Sequence, residues 1–297
     1  MTGHLRIKSP NTQLGVLLLV YFVTQILILS LAQLFLGDIS NLSNPANIPK
    51  VKAFQAASSV LLFFLPAFLF ATFTFRGRYL HYLGFNPAEK SPMYAIGSIC
   101  MLVAFPLVFW LGALNQMIPL PESMIKLEEN AGKQMEIFLK VNSGWDIVIN
   151  VIVIGLLPAI CEEVFFRGAM QRIMIQLTKN PWLGIVLTAA LFSAFHLQFQ
   201  GFLPRLFLGI ILGALYWFSG SIWTSILAHF ITNTAQVLAA SYATEYVHHN
   251  PTVPVYLALA SGVAVFGLMR LYLRFSTVTW SKVYERDGLA KYDDFMV

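Results

Sequence analysis

From Leu14 to Leu36 the chain carries no Asp, Glu, Lys or Arg, and apolar runs of this kind recur as far as Leu273. Such a run, folded as a helix, can cross the roughly 30 Å hydrocarbon core of a bilayer. Each backbone N–H and C=O there must find its partner without water, and a helix satisfies all of them within one segment. Composition points the same way. Of 297 residues 57% are hydrophobic and 11% charged, with a mean hydropathy of +0.69, whereas an ordinary soluble domain has about 25% charged residues. The sequence therefore reads as an all-α, polytopic membrane helix bundle with about eight transmembrane helices.

The first expected span is Leu14 to Leu36, too long for a signal-peptide core and followed by no small-x-small cleavage site, so it reads as a retained helix. The second runs from about Phe54 to Phe75 and contains Pro66, which membrane helices tolerate. The third covers about Tyr94 to Ile118. A mixed-charge segment, Pro119 to Gly144, follows, in which Met124, Leu127, Ala131, Met135 and Phe138 recur near helical spacing, as in an amphipathic surface helix. The fourth span starts near Trp145 and continues as one long helix to Lys179, stopping at Asn180-Pro181. The fifth is Trp182 to about Leu197, the sixth Pro204 to Phe218, the seventh Ile222 to Ala243 and the eighth Val255 to Leu273, before a charged tail. Three regions result: residues 1–144 with the N-terminal spans and surface helix, 145–245 as a core, and 246–297 with the last span and tail.

With eight spans both termini share a side, and about twelve Lys and Arg fall on that side against about six opposite. By the positive-inside bias both termini are expected in the cytoplasm, with the plasma (cytoplasmic) membrane as the expected location. The formal net charge of +5 carries less information than this distribution. No internal repeat, phosphate loop or nucleic-acid motif is evident, so no nucleic-acid partner is expected. Cys100 and Cys161 both fall inside apolar spans and support neither a disulfide framework nor a thiolate metal site.

One stretch breaks the apolar pattern: Cys161-Glu162-Glu163-Val164-Phe165-Phe166-Arg167-Gly168 places two carboxylates and a guanidinium inside the fourth span. A charge at mid-bilayer costs at least ~2.5–3.5 kcal/mol on insertion scales, so these groups need partners or a function. Glu163 and Arg167 are four apart with the acid on the N-terminal side, the better order for an i,i+4 ion pair. Glu162 lies about 100° around the helix from Glu163 and is free to face a cavity. A lone carboxylate in an apolar, partly wet pocket suits a general base; a buried structural pair beside a spectator acid is the plainer alternative.

Two histidines extend the pattern. His196 pairs by spacing with Phe192, and His229 with Asn233, each pair on one helix face. Glu162 lies 17 residues before the turn at Lys179 and His196 lies 17 after it, so an antiparallel hairpin brings both to roughly 25 Å from that turn. His229 and Asn233 are 8 and 12 residues beyond Ser221, or roughly 12–18 Å along their helix. With tilt, all four can converge on one cavity.

Glu162-Glu163-x-x-x-Arg167, Phe192-x-x-x-His196 and His229-x-x-x-Asn233, in this order on successive apolar segments, resemble the type II CAAX prenyl protease family. That family is also called CPBP or abortive-infection-like and includes lysostaphin-resistance-A-like proteins. The segment Phe207 to Gly213 and the run Gly220-Ser221-Ile222-Trp223 share in the resemblance, which covers about Trp145 to Val237. It implies an intramembrane endopeptidase in which Glu162 activates water, His196 helps hold that water, and His229 with Asn233 stabilises the oxyanion. Glu163 and Arg167 fall to a supporting ion pair. The implied partners are a peptide or protein substrate, lipidated or membrane-associated substrates included, and the lipid bilayer.

Two alternatives stand beside this reading. A membrane immunity or binding protein, or a small transporter, could use the same buried polar cluster without hydrolysis. Within the enzyme reading, His196, His229 and Glu162 could hold zinc. No cofactor is the leading expectation, because the chain has no His-Glu-x-x-His and Asn is an unusual zinc ligand.

Overall fold

A computed structural model describes residues 9–36, 47–75, 77–141, 143–242 and 251–277. Among these residues the structure is helical throughout, with no strand. In chain order the main helices are α1 (Pro10–Leu36), α2 (Ile48–Thr74), α3 (Pro92–Val103), α4 (Phe105–Gln116), α5 (Glu122–Leu139) and α6 (Gly144–Thr178). They are followed by α7 (Pro181–Ala194), α8 (Phe202–Ser219), α9 (Ile222–Tyr242) and α10 (Val255–Arg274). The charged tail expected beyond the last span lies outside the described residues.

Each expected span has a helical counterpart, but the counterparts are not equal. Among the described residues α1, α2, α6, the segment Phe199–Ser219 and α10 are long and apolar enough to cross a membrane, and the α3–α4 pair makes a sixth if it is one span. That pair bends by 42° at Ala104, just before Pro106, which occupies the first turn of α4. The expected fifth span is shorter than its sequence suggested: α7 has 14 residues and ends at Ala194. At 1.5 Å per residue it is about 21 Å long, less than the bilayer core. Helix α9 is long enough but too polar to stand among those candidates. The protein is an integral membrane protein, and bare aliphatic faces on α1 and α10, with Leu19, Phe22, Ile26, Leu259, Val263 and Phe266 exposed, suit lipid.

Local chemistry explains the helix breaks. The backbone widens to π-helix at Val60–Phe64 just before Pro66, and at Val151–Leu156 just before Pro158. Proline has no N–H for the carbonyl four residues back, and a wider turn lets that carbonyl reach one residue further. The third widening, Val164–Gln171, has no proline to account for it and is buried at every position. Helix α6 begins with Asp146 accepting the Ser143 N–H at 2.8 Å. It ends where Lys179 turns left-handed at φ 54°, and Asn180 then caps α7 by accepting the Leu183 N–H at 3.1 Å.

Helix α6 is the axis of the bundle. Phe165 and Phe166 sit in a buried aromatic cluster with Tyr21 of α1, Phe63 of α2 and Phe192 of α7. A second apolar cluster joins α3, α8, α9 and α10 through Met93, Met101, Leu215, Ala228 and Tyr272. Cys100 and Cys161 are free and buried. Two of the basic residues in the charge count lie inside the protein. Lys52 donates to Asn150 Oδ1 at 2.6 Å, and Arg172 stacks on the Tyr82 ring at 4.2 Å while donating to the Tyr82 carbonyl.

Candidate active site

The site is built on the third π-helical turn of α6. Arg167 Nε lies 3.3 Å from Glu163 Oε2, both side chains essentially without solvent contact, so the ion pair expected from their spacing is present. The guanidinium has further partners. One Nη donates to the Gly209 carbonyl at 3.2 Å, and its carbon lies 4.8 Å from the centre of the Phe192 ring. Helix α8 can come this close because of its glycines: a Cβ at Gly209 would meet Ala189, and one at Gly213 would meet the Gln171 amide. Gln171, one turn beyond Arg167, donates to the Gly213 carbonyl at 3.0 Å. Two side chains four residues apart thus meet two carbonyls four residues apart. The sequence marked this glycine segment by resemblance only; the physical signal was the matching interval of four.

Glu163 has a second partner that spacing along one helix cannot show. Its Oε1 is 2.9 Å from Nδ1 of His229, across from α9. An ionised carboxylate only accepts, so Nδ1–H donates and Nε2 is turned the other way. That nitrogen lies 3.9 Å from Oε2 of Glu162, whose side chain keeps 12% of its surface accessible. The two adjacent acids therefore differ in kind. Glu163 meets His229 with one oxygen and Arg167 with the other in a dry interior, while the Glu162 side chain stays partly accessible beside a histidine.

His196 is not inside a span. It lies two residues beyond the end of α7, in a turn closed by Leu197 at φ 54°. Its Nδ1 is 2.8 Å from the Phe192 carbonyl, so this ring too donates at Nδ1 and leaves Nε2 as a free acceptor. Phe192 stands between the two histidines, its ring centre 5.0 Å from that of His196 and 5.9 Å from that of His229. Asn233 sits one turn past His229 on α9, half-buried. Arg205, a residue of α8 to which the sequence gave no role, donates to the Gln198 carbonyl two residues beyond His196. Among the described residues no group of three or more His, Cys, Asp or Glu is placed to hold a metal ion.

Residues 144–235 match the family model for type II CAAX prenyl endopeptidase, Rce1-like. This segment is similar to that family's domain. The Rce1-like segment begins at the first residue of α6 and ends just past Asn233 on α9, so it holds every polar side chain placed at the site. Helices α1 to α5 and α10 lie outside it. No curated protein and no solved structure matches the chain. The match is a likeness to a type II CAAX prenyl endopeptidase family over this segment, and the chemistry has to be argued from the residues.

Proposed function

We propose that the protein is an intramembrane endopeptidase in which Glu162 activates water. The observation that carries this reading is the contrast between the two adjacent acids: Glu163 is fully buried between Arg167 and His229, whereas the Glu162 side chain keeps some accessible surface next to His229 Nε2. Water held between Glu162 and the free Nε2 of His196 gives a proton to the Glu162 carboxylate as its oxygen attacks the peptide carbonyl carbon. The carbonyl π-electrons move to oxygen, and the resulting oxyanion is met by His229 and Asn233. His229 serves as a donor when Nε2 carries a proton, with Glu163 as counter-charge on the far side of the ring. Collapse of the intermediate breaks the C–N bond, and the proton on Glu162 passes to the leaving amine.

This scheme uses no resident metal. If Glu162 were a zinc ligand with His196 and His229, another carboxylate would have to take the water proton. Glu163 is the only neighbouring acid in that stretch, and both of its oxygens are already engaged. The substrate is a peptide or protein reached from the bilayer, lipidated C-terminal tails included. The bias of Lys and Arg toward one side supports cytoplasmic termini.

Cleavage of a peptide library by purified protein, with Glu162→Gln as control, tests activity and substrate together. Products that appear with the wild type and vanish with the variant are expected. A folded wild type that binds peptides without cutting any would favour the binding or transport alternative.

A further inference from the structure

The expected apolar face of α5 ran through Met124, Leu127, Ala131, Met135 and Phe138. In the structure Leu127 is 56% exposed, and Glu128 takes its place on the inner side. Both positions satisfy helical spacing from Met124, and tertiary contact selects the acid. An acid on the packed face of an otherwise exposed helix needs a reason. Its Oε1 accepts the Gln200 N–H at 3.1 Å.

Gln200 belongs to the short segment between α7 and α8 that contains His196. This segment does not hold its shape by local preference, since Leu197 stands in the left-handed region, which costs a residue with a Cβ roughly 1–2 kcal/mol. Such a conformation persists where the surroundings over-determine it. Here they do so one backbone group at a time. Arg205 donates to the Gln198 carbonyl, Asn115 of α4 donates to the Phe199 carbonyl at 2.8 Å and accepts the Leu203 N–H at 2.6 Å, and Ser193 donates to the Phe202 carbonyl at 2.8 Å. Glu128 supplies the remaining tie, at Gln200.

We propose that Glu128 is a positioning residue of the site: from a helix outside the Rce1-like segment, it fixes the turn that carries His196. The inference rests on the proteolytic reading for its effect on turnover. For its effect on the turn it rests only on the contacts around Gln200. The free Nε2 of His196 is oriented by a ring anchored at Phe192 and by the turn immediately after it. A displacement of about 1 Å at a catalytic group can cost on the order of 10²-fold in rate.

The experiment compares full-length wild type with Glu128→Ala, Glu128→Gln and, as a control on the exposed side of the same helix, Glu129→Ala. It measures kcat and KM on a peptide cleaved by the wild type, and amide hydrogen exchange over residues 195–203. Glu128→Ala is expected to lower kcat at least tenfold with KM changed less than threefold, and to speed exchange in that segment. Glu128→Gln should restore both to within about threefold, because its amide oxygen still accepts the Gln200 N–H. Glu129→Ala should match the wild type. Unchanged exchange in Glu128→Ala overturns the proposal, as does faster exchange with wild-type kcat. Should the wild type itself cleave nothing, the proteolytic reading fails, and the exchange data alone decide whether Glu128 holds the turn.

Discussion

Glu163 and His229, 66 residues apart in sequence, meet at 2.9 Å between Oε1 and Nδ1. This contact converts an i,i+4 ion pair on one helix into a chain of three groups, Arg167 to Glu163 to His229, crossing from α6 to α9. It fixes which histidine nitrogen faces Glu162, and it joins the supporting pair to the proposed chemistry through one carboxylate.

Glu162→Gln should lower kcat by 10²-fold or more, the scale of a lost general base. Folding should hardly change, since the contact of Glu162 to His229 is long at 3.9 Å and the amide removes a charge from a largely buried position. Turnover and thermal unfolding measured on the same preparation check both halves. Wild-type turnover in this variant would remove Glu162 from the role of base.

Arg167→Ala should instead destabilise the protein by roughly 3–5 kcal/mol, because it strands Glu163 in a buried interior. Arg167→Lys should recover little of this. A lysine cannot present the planar group that pairs with Glu163, reaches the Gly209 carbonyl and lies over Phe192. Thermal unfolding in detergent decides, and wild-type melting of Arg167→Ala would contradict the structural role.

Glycine to alanine changes on two helices should have opposite signs. Gly213→Ala places a Cβ 2.6 Å from the Gln171 amide oxygen and 2.9 Å from Ile185, so a loss of about 1–3 kcal/mol is expected from overpacking. Gly267→Ala, on α10 with nothing within 4 Å, should be neutral or stabilising by up to about 1 kcal/mol. Equal effects at both positions would show that the close α6–α8 approach is not required.

Topology can be read by labelling. A cysteine replacing Lys179 should react with an impermeant reagent from the cytoplasmic side, and one replacing Lys133 only from the opposite side. The reverse pattern would turn the protein over and move the expected side of substrate entry.

Proteolysis should not depend on zinc. Polar pockets with two histidines collect adventitious metal, so chelator inhibition alone does not decide the matter. Metal content by mass spectrometry on active protein, with activity after exhaustive chelator dialysis, does. One tightly held zinc per chain, lost with activity and restoring it on return, would overturn the glutamate-base scheme.

Sequence alone determined the helical membrane architecture, the long α6 ending at Asn180-Pro181, and the Glu163–Arg167 pair. Each follows from properties local to one segment: apolar length, a capping residue before a proline, and an interval of four. It did not determine where α7 stops, because no glycine or proline marks the break and Leu197 takes the left-handed turn under contacts from other helices. Nor could it choose between Leu127 and Glu128 for the inner face of α5, since both fit the period and hydropathy favours the wrong one. The Glu163–His229 contact, the glycine carbonyls facing Arg167 and Gln171, and the ties around Gln200 are pairings between distant segments. Helical spacing fixes which residues of one helix share a face, and only the packing of helix on helix decides what that face meets.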